Sequence, residues 1–168
     1  MNHHQTELLE FLRNSEPTAA AKVLLKRTSQ QFVLDYGWWF EPVTLPEGIC
    51  CGAEQECHKN ATELASDTGS LIYCEGFAKF QDSSMPVLHA WVTDGHGRAI
   101  DNTWRVPGVA YAGVPFKTNF IITTALANHA TISLLDDWQN DYPLRRELGD
   151  RPDEWFEYAG RGLAKIMS

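Results

Sequence analysis

The sequence predicts one α+β domain over residues 1–168, in which helices pack on a small antiparallel sheet. Two patterns support this prediction: apolar residues recur at helical spacing near the N-terminus, and three segments of strand character follow one another in the middle of the chain. With 168 residues and 43% hydrophobic content, the chain can bury one core without disulfides or metals. No internal repeat and no linker divides it.

The N-terminal region predicts two helices, separated by a break near Pro17. Each has an apolar face, formed by Leu8, Leu9 and Leu12 in the first and by Ala20, Val23 and Leu24 in the second. The following stretch, 36–52, is rich in aromatic and turn-forming residues and lacks a sustained period. We therefore expect it to be an ordered loop.

A third helix is predicted to begin at Cys57. Its apolar face is formed by Cys57, Ala61, Leu64 and Ala65, at i, i+4, i+7 and i+8. Cys57 then lies in the first turn, where unpaired backbone amides and the helix dipole favour a thiolate over a thiol.

The remaining elements follow from the same patterns. Strands are predicted at 70–80, 87–94 and 98–104, and a hairpin turn at 94–97 joins the last two. Beyond them, 120–124 predicts a further strand, whereas 125–138 and 152–166 predict helices.

Charge and hydropathy exclude several classes of function. The net charge of −8 and a pI near 5.1 disfavour binding to nucleic acid or to anionic lipid. No apolar run is long enough for a membrane helix, and the first residues do not resemble a secretion signal. We expect a cytoplasmic protein with a protein or peptide substrate; the sequence does not indicate an oligomeric state.

The cysteines do not indicate a metal centre. Cys50, Cys51, Cys57 and His58 could form a zinc cluster, but they lack the usual ligand spacing. We therefore expect no metal and no cofactor. Cys74 is expected to be a buried structural residue within a strand, and His58 to be exposed.

A nucleophilic thiol requires a base and a third group that orients the base. His89 lies in the middle of a predicted strand, and Asp101 lies on the next strand, where antiparallel pairing can bring Cβ atoms to within about 5 Å. The sequence thus predicts a catalytic triad of Cys57, His89 and Asp101.

Further residues are assigned to the same predicted site. The candidates for stabilising an oxyanion are the backbone amide of Cys57 together with Gln55, Trp38 or Trp39. The candidates for lining a substrate groove are Trp91, Trp104 and Tyr111.

These residues resemble a known family. The run His89-Ala90-Trp91, followed by Ile100-Asp101-Asn102-Thr103-Trp104 and preceded by Cys57 at a helix start, resembles the transglutaminase-like branch of the papain-like cysteine protease and acyltransferase superfamily, in its small phage or bacterial form. The resemblance covers roughly residues 50–116 and implies a papain-like core with an acyl-transfer site. The sequence departs from the family at Asn102, where proline is more common.

The resemblance and the triad together predict cysteine-dependent amide chemistry on a protein or peptide, through a thioester intermediate. Water as the second nucleophile makes the protein a peptidase or a deamidase, which we favour, and an amine makes it a transglutaminase. Two alternatives stay open. One is a non-catalytic module that binds a host or partner protein in the papain-like groove, and the other is an amidase of cell-wall peptides.

Overall fold

We describe the fold from a computed structural model, which describes residues 1–15, 25, 27–147, 152–157 and 163–167. The chain is mixed α/β, with a five-stranded sheet that closes into a small barrel. The longest described helix has 12 residues. None of the described helices could span a membrane.

Within the described residues, two helices precede the barrel. Helix α1 spans His3–Arg13 and begins with a capping box between Asn2 and Gln5. Helix α2 spans Ser29–Tyr36 and begins with a second capping box between Thr28 and Gln31. Their buried faces include Leu8, Leu12 and Phe32, and the predicted apolar face of Ala20, Val23 and Leu24 lies outside the described residues.

The barrel is built from strands β1 (Trp38–Pro42), β2 (Ile72–Lys79), β3 (Val87–Thr93), β4 (Arg98–Ile100) and β5 (Ala110–Phe116). Around the barrel the strands follow the order β1, β4, β3, β2, β5. All neighbouring pairs are antiparallel except β1 and β4, which are parallel. The predicted hairpin turn is confirmed between β3 and β4, where an oxygen of Asp94 accepts hydrogen bonds from the backbone amides of His96 and Arg98.

The two sides of the barrel wall bury different residues. A cluster drawn from every strand fills the interior: Phe40, Cys74, Ala78, Trp91, Ala99 and Tyr111. The outer side of β2, β3 and β5 packs against helices, including α3 (Cys57–Thr68), which buries Ala61 and Ala65 against it. Helix α3 is therefore held against the strands that precede the hairpin turn.

The C-terminal part adds helices α4 (Thr118–Asn128), α5 (Pro143–Glu147) and α6 (Pro152–Trp155). Beyond α6, Phe116 forms an isolated bridge with Phe156, and Trp38 forms another with Lys165. This part of the chain therefore returns to the barrel at β1 and β5.

Several sequence predictions are wrong in detail. Stretch 36–52 contains β1, and 120–124 lies within helix α4, which ends at Asn128 and does not continue to 138. The strand predicted to reach Trp104 ends at Ile100. Beyond it the chain turns, and the backbone amide of Thr103 donates to the side chain of Asp101. In 152–166, the helix covers only Pro152–Trp155, and 158–162 lies outside the described residues.

Candidate functional site

Cys57 is the first residue of helix α3, as the sequence predicts. Glu56 precedes it as the N-cap without forming a side-chain cap, and the backbone amide of Cys57 donates to no other residue that the structure describes. The first turn therefore presents a free N–H beside the thiol, as helix N-termini do.

The loop that leads into this helix is fixed by a buried asparagine. The side chain of Asn60 accepts from the amide of Ala53 at 3.2 Å and donates to the carbonyl of Ala53 at 2.7 Å and to Thr103 Oγ1 at 3.0 Å. Asn102 adds two links, since its Nδ2 donates to the carbonyl of Asn60 and its carbonyl accepts from the amide of Gly52. These bonds hold the start of helix α3 against the loop that carries Asp101.

His89 and Asp101 form a buried pair. His89 Nε2 lies 2.8 Å from Asp101 Oδ2, and both side chains are almost fully buried. His89 also stacks on Trp104, with ring centroids 4.1 Å apart and planes inclined by 16°. Because Nε2 faces Asp101, Nδ1 is the ring nitrogen left to interact with Cys57.

Asp101 is held by three further donors. Its Oδ1 accepts from the backbone amides of Thr103 at 2.9 Å and Trp104 at 3.3 Å. Its Oδ2 accepts from the hydroxyl of Tyr111 at 2.8 Å. Burial raises the pKa of Asp101, but the hydrogen bonds and the His89 charge outweigh it and lower that pKa, so the carboxylate stays ionised.

The electrostatics favour a thiolate beside an imidazolium. Burial raises the pKa of the Cys57 thiol, but hydrogen bonds and charges of His58 and His89 outweigh it and lower that pKa to about 6. Burial lowers the pKa of His89, whereas Asp101 and Cys57 raise it to about 9. Between these two values, Cys57 is negative and His89 is positive.

A second histidine, His58, which the sequence predicts to be exposed, also lowers the pKa of the Cys57 thiol. The side chain of His58 is 22% exposed, and its Nδ1 lies 3.1 Å from the hydroxyl of Tyr73. Tyr73 in turn donates to Glu75 Oε2 at 2.9 Å. The sequence feature that could have indicated these contacts is Glu75, a carboxylate within an otherwise apolar strand. A carboxylate buried in such a strand requires hydrogen-bond partners.

An open groove of about 340 Å³ lies beside Trp104. Its lining residues are Glu54, Gln55, Phe80, Thr103, Trp104, Arg105 and Val106. Trp104 contributes to both features, since it stacks on His89 and lines the groove. Trp104 is thus the residue that links the groove to His89, whereas Cys57, His89 and Asp101 do not line the groove.

Three of the predicted groove and oxyanion residues have other positions. Trp91 and Tyr111 do not line a groove, since both are fully buried in the barrel interior, where closure of the sheet encloses their rings. Tyr111 instead holds Asp101 through its hydroxyl. Trp38 packs beneath Lys165, with Nζ 5.0 Å from the ring centroid.

Of the other two oxyanion candidates, only Gln55 lies in the segment that leads directly into helix α3. Trp39 lies on β1 and packs against the outer core, and neither Trp38 nor Trp39 donates a side-chain hydrogen bond within the described residues. Gln55 is exposed in the groove, two residues before Cys57, with φ at 65°. That left-handed conformation is uncommon for a residue with a side chain and orients the chain just before the helix.

The described residues contain no group of three or more metal-ligating side chains that could hold an ion. Cys50 and Cys51 are exposed, whereas Cys74 is buried, as the sequence predicts. Burial raises the pKa of Cys74 well above its usual value, so that thiol stays protonated.

Comparison with protein-family models, with curated proteins and with solved structures finds no match to this chain. The resemblance to transglutaminase-like proteins therefore stays a prediction from the residues at positions 57, 89 and 101.

Proposed function

We propose that the protein is a cysteine-dependent amide hydrolase, a peptidase or a deamidase, acting on a protein or peptide through the triad of Cys57, His89 and Asp101. The observation that supports this most is a buried carboxylate hydrogen-bonded to an imidazole that, in turn, lowers the pKa of a thiol at a helix N-terminus. A structural cysteine does not need a lowered pKa, an imidazole and an ionised carboxylate together.

In the proposed reaction, the Cys57 thiolate attacks the carbonyl carbon of a carboxamide and forms a C–S bond. The C–N bond breaks as His89 Nδ1 gives its proton to the leaving nitrogen, and a thioester remains. Water then adds to the thioester carbon and gives a proton to His89, after which the C–S bond breaks and a carboxylic acid leaves. Replacing water by an amine yields a new amide.

The backbone amide of Cys57 and the side-chain amide of Gln55 are proposed as donors to the oxyanion of the tetrahedral intermediate. Each such donor is worth about 10²–10³ in rate in enzymes of known mechanism. Asp101 keeps the tautomer of His89 in which Nε2 is protonated, and Tyr111 keeps Asp101 in place.

The function is tested by incubating the protein with a peptide mixture in heavy-oxygen water and following the products by mass spectrometry. A hydrolase produces new carboxylates that carry the heavy oxygen, either at new C-termini or at former glutamine or asparagine side chains. Adding an alkylamine distinguishes a transferase, since the amine then appears in the product. Absence of all three products with the wild-type protein would favour the binding module.

Thiol labelling gives a first prediction that needs no substrate. At pH 7 a thiol with a pKa of about 6 is about 90% ionised, against a few per cent for an ordinary thiol. We expect iodoacetamide to label Cys57 about tenfold faster than Cys50 or Cys51. The rate at Cys57 should rise with a midpoint near pH 6 and level off above about pH 7. Mass spectrometry of the peptides gives the rate at each site; equal, slow labelling of the exposed thiols and Cys57 would contradict the proposal.

The groove gives a second prediction, about which side chains the substrate carries. Phe80, Trp104 and Val106 offer apolar surface, and Val106 is 59% exposed. A peptide with an apolar side chain near the scissile amide should bury that surface. We expect Val106→Asp to raise KM for such a peptide about tenfold with kcat unchanged, because the charge opposes apolar contact in both ground and transition states.

The matched control for this variant is Val87→Asp, which places the same charge on another exposed valine, at the start of β3, that does not line the groove. An equal rise in KM for both variants would show that the groove does not hold the substrate.

A further inference from the structure

A second imidazole, which the proposed triad does not use, lies next to Cys57 in the chain and lowers the pKa of its thiol. His58 follows Cys57 in the first turn of helix α3, and its Nδ1 is occupied by the hydroxyl of Tyr73 at 3.1 Å. The remaining ring nitrogen, Nε2, is the one left for the Cys57 thiol. The thiol therefore has an imidazole from each of two elements, His89 from β3 and His58 from its own helix.

The group behind His58 is a buried carboxylate. Glu75 is fully buried on the outer side of β2, and its Oε2 lies 3.7 Å from His58 Nδ1. Tyr73, Ser133 and the backbone amides of Leu134 and Leu135 all donate to its two oxygens. This set of donors satisfies a carboxylate that would otherwise be costly to bury, and it fixes the position of Tyr73 and hence of His58.

We propose that His58, held by Tyr73 and Glu75, is a second cationic partner of the Cys57 thiolate, so that two histidine–carboxylate arms act on one sulfur. The arms differ in construction. His89 bonds directly to Asp101, whereas His58 reaches Glu75 mainly through the hydroxyl of Tyr73. We assign the proton transfer to the His89 arm, and to the His58 arm a positive charge that stays in place while His89 gains and loses its proton.

The second arm has its effect when His89 has lost its proton. This step rests on the proposed function. After acylation, His89 has given its proton to the leaving group and is neutral, and the sulfur of the thioester must next leave with a negative charge. His58 Nε2–H is then placed to stabilise that charge while His89 takes the proton of the attacking water, so the C–S bond breaks without competition between the two tasks.

The charges around His58 agree with a protonated ring. Burial lowers the pKa of His58, but the charge of Glu75 and the interaction with Cys57 outweigh it and raise that pKa. The positive charge of His89 opposes this. The titratable groups that face His58 are thus Glu75 and Tyr73 on β2, His89 on β3 and Cys57 on its own helix.

The test is the pH profile of Cys57 alkylation in the full-length protein, with neutral iodoacetamide and anionic iodoacetate as probes. His58→Gln keeps an amide donor and removes the charge. We expect the midpoint of the profile to rise by about 1 pH unit, the iodoacetamide rate at pH 6 to fall about fivefold, and the preference for iodoacetate to fall as well. Tyr73→Phe, which removes only the bridging hydroxyl, should move the midpoint in the same direction by a smaller amount.

The control is His96→Gln, since His96 is exposed in the hairpin turn and should leave the profile unchanged. An unchanged midpoint in both folded variants, His58→Gln and Tyr73→Phe, would overturn the inference even if peptides are hydrolysed. Conversely, a shifted midpoint in a protein that turns over no peptide would support the His58 arm and remove the proposed function. Thermal unfolding of each variant shows that it is folded; if His58→Gln is not, Tyr73→Phe decides.

Discussion

Replacing His89 by alanine is expected to lower the turnover of a peptide amide about a thousandfold, the usual range for a general acid and base. The substitution removes the group that gives a proton to the leaving nitrogen and takes one from water. It also removes one of the two imidazoles that lower the pKa of Cys57 to about 6. The iodoacetamide profile of Cys57 should therefore move to higher pH, but less far than in a variant that lacks His58 as well.

His89 is buried, so alanine leaves space in the fold and an independent variant is needed. Asp101→Asn keeps the shape and the backbone contacts of Asp101 while removing its charge. Burial lowers the pKa of His89, and the Asp101 interaction is what raises it most, so this variant should bring that pKa down from about 9. The alkaline limb of the rate profile then moves to lower pH, since less of His89 is protonated at a given pH.

His96→Ala serves as the control for both variants, because it removes an imidazole from an exposed turn. If a folded His89→Ala protein, as judged by its thermal transition, keeps more than about a tenth of the wild-type rate, His89 is not the proton-transfer group.

The elements that carry the three residues of the proposed triad could be predicted because their positions depend on local order. Cys57 begins an amphipathic helix, His89 lies on β3, and Asp101 directly follows β4, which a short turn joins to β3. Helical spacing and a turn signal in the sequence are enough to place them on these elements. The contact that supports Asp101 could not be predicted in this way. Tyr111 reaches Asp101 from β5, whose position depends on its pairing with β2 and β1 and not on local sequence.

Closure of the sheet into a barrel could not be predicted from local sequence patterns. Strand β1 pairs with β4 and β5, which lie far along the chain, and its aromatic residues give no alternation. Residues 120–124 are β-branched and aromatic, yet they form helix α4, with Ile121 buried and Ile122 exposed. The place beside β2 is already occupied by β5, so this segment packs as a helix on the barrel, and tertiary context overrides strand propensity.

The second largest effect is expected for Gly76→Ala. Gly76 on β2 is paired with His89 on β3 and with Gly113 on β5, so it lies in the part of the sheet that carries the imidazole of the site. A Cβ at this position would lie 2.2 Å from the carbonyl oxygen of Ala112 and 2.4 Å from the Cα of Gly113. Both are backbone atoms, so the strands themselves must separate.

We expect this substitution to destabilise the protein by about 3 kcal/mol, the upper end for an overpacked core, and to lower Tm by roughly 10 °C. Gly95→Ala is the matched control, because a Cβ there meets no atom within 4 Å. A Gly76→Ala protein that unfolds within about 2 °C of the control would show that β2 and β5 do not approach each other as described. Since Gly76 is also paired with His89 across β2 and β3, displacement of β2 from β5 should move Glu75 and Gly76 relative to His89, and Cys57 should lose its fast reaction with iodoacetamide before the protein unfolds.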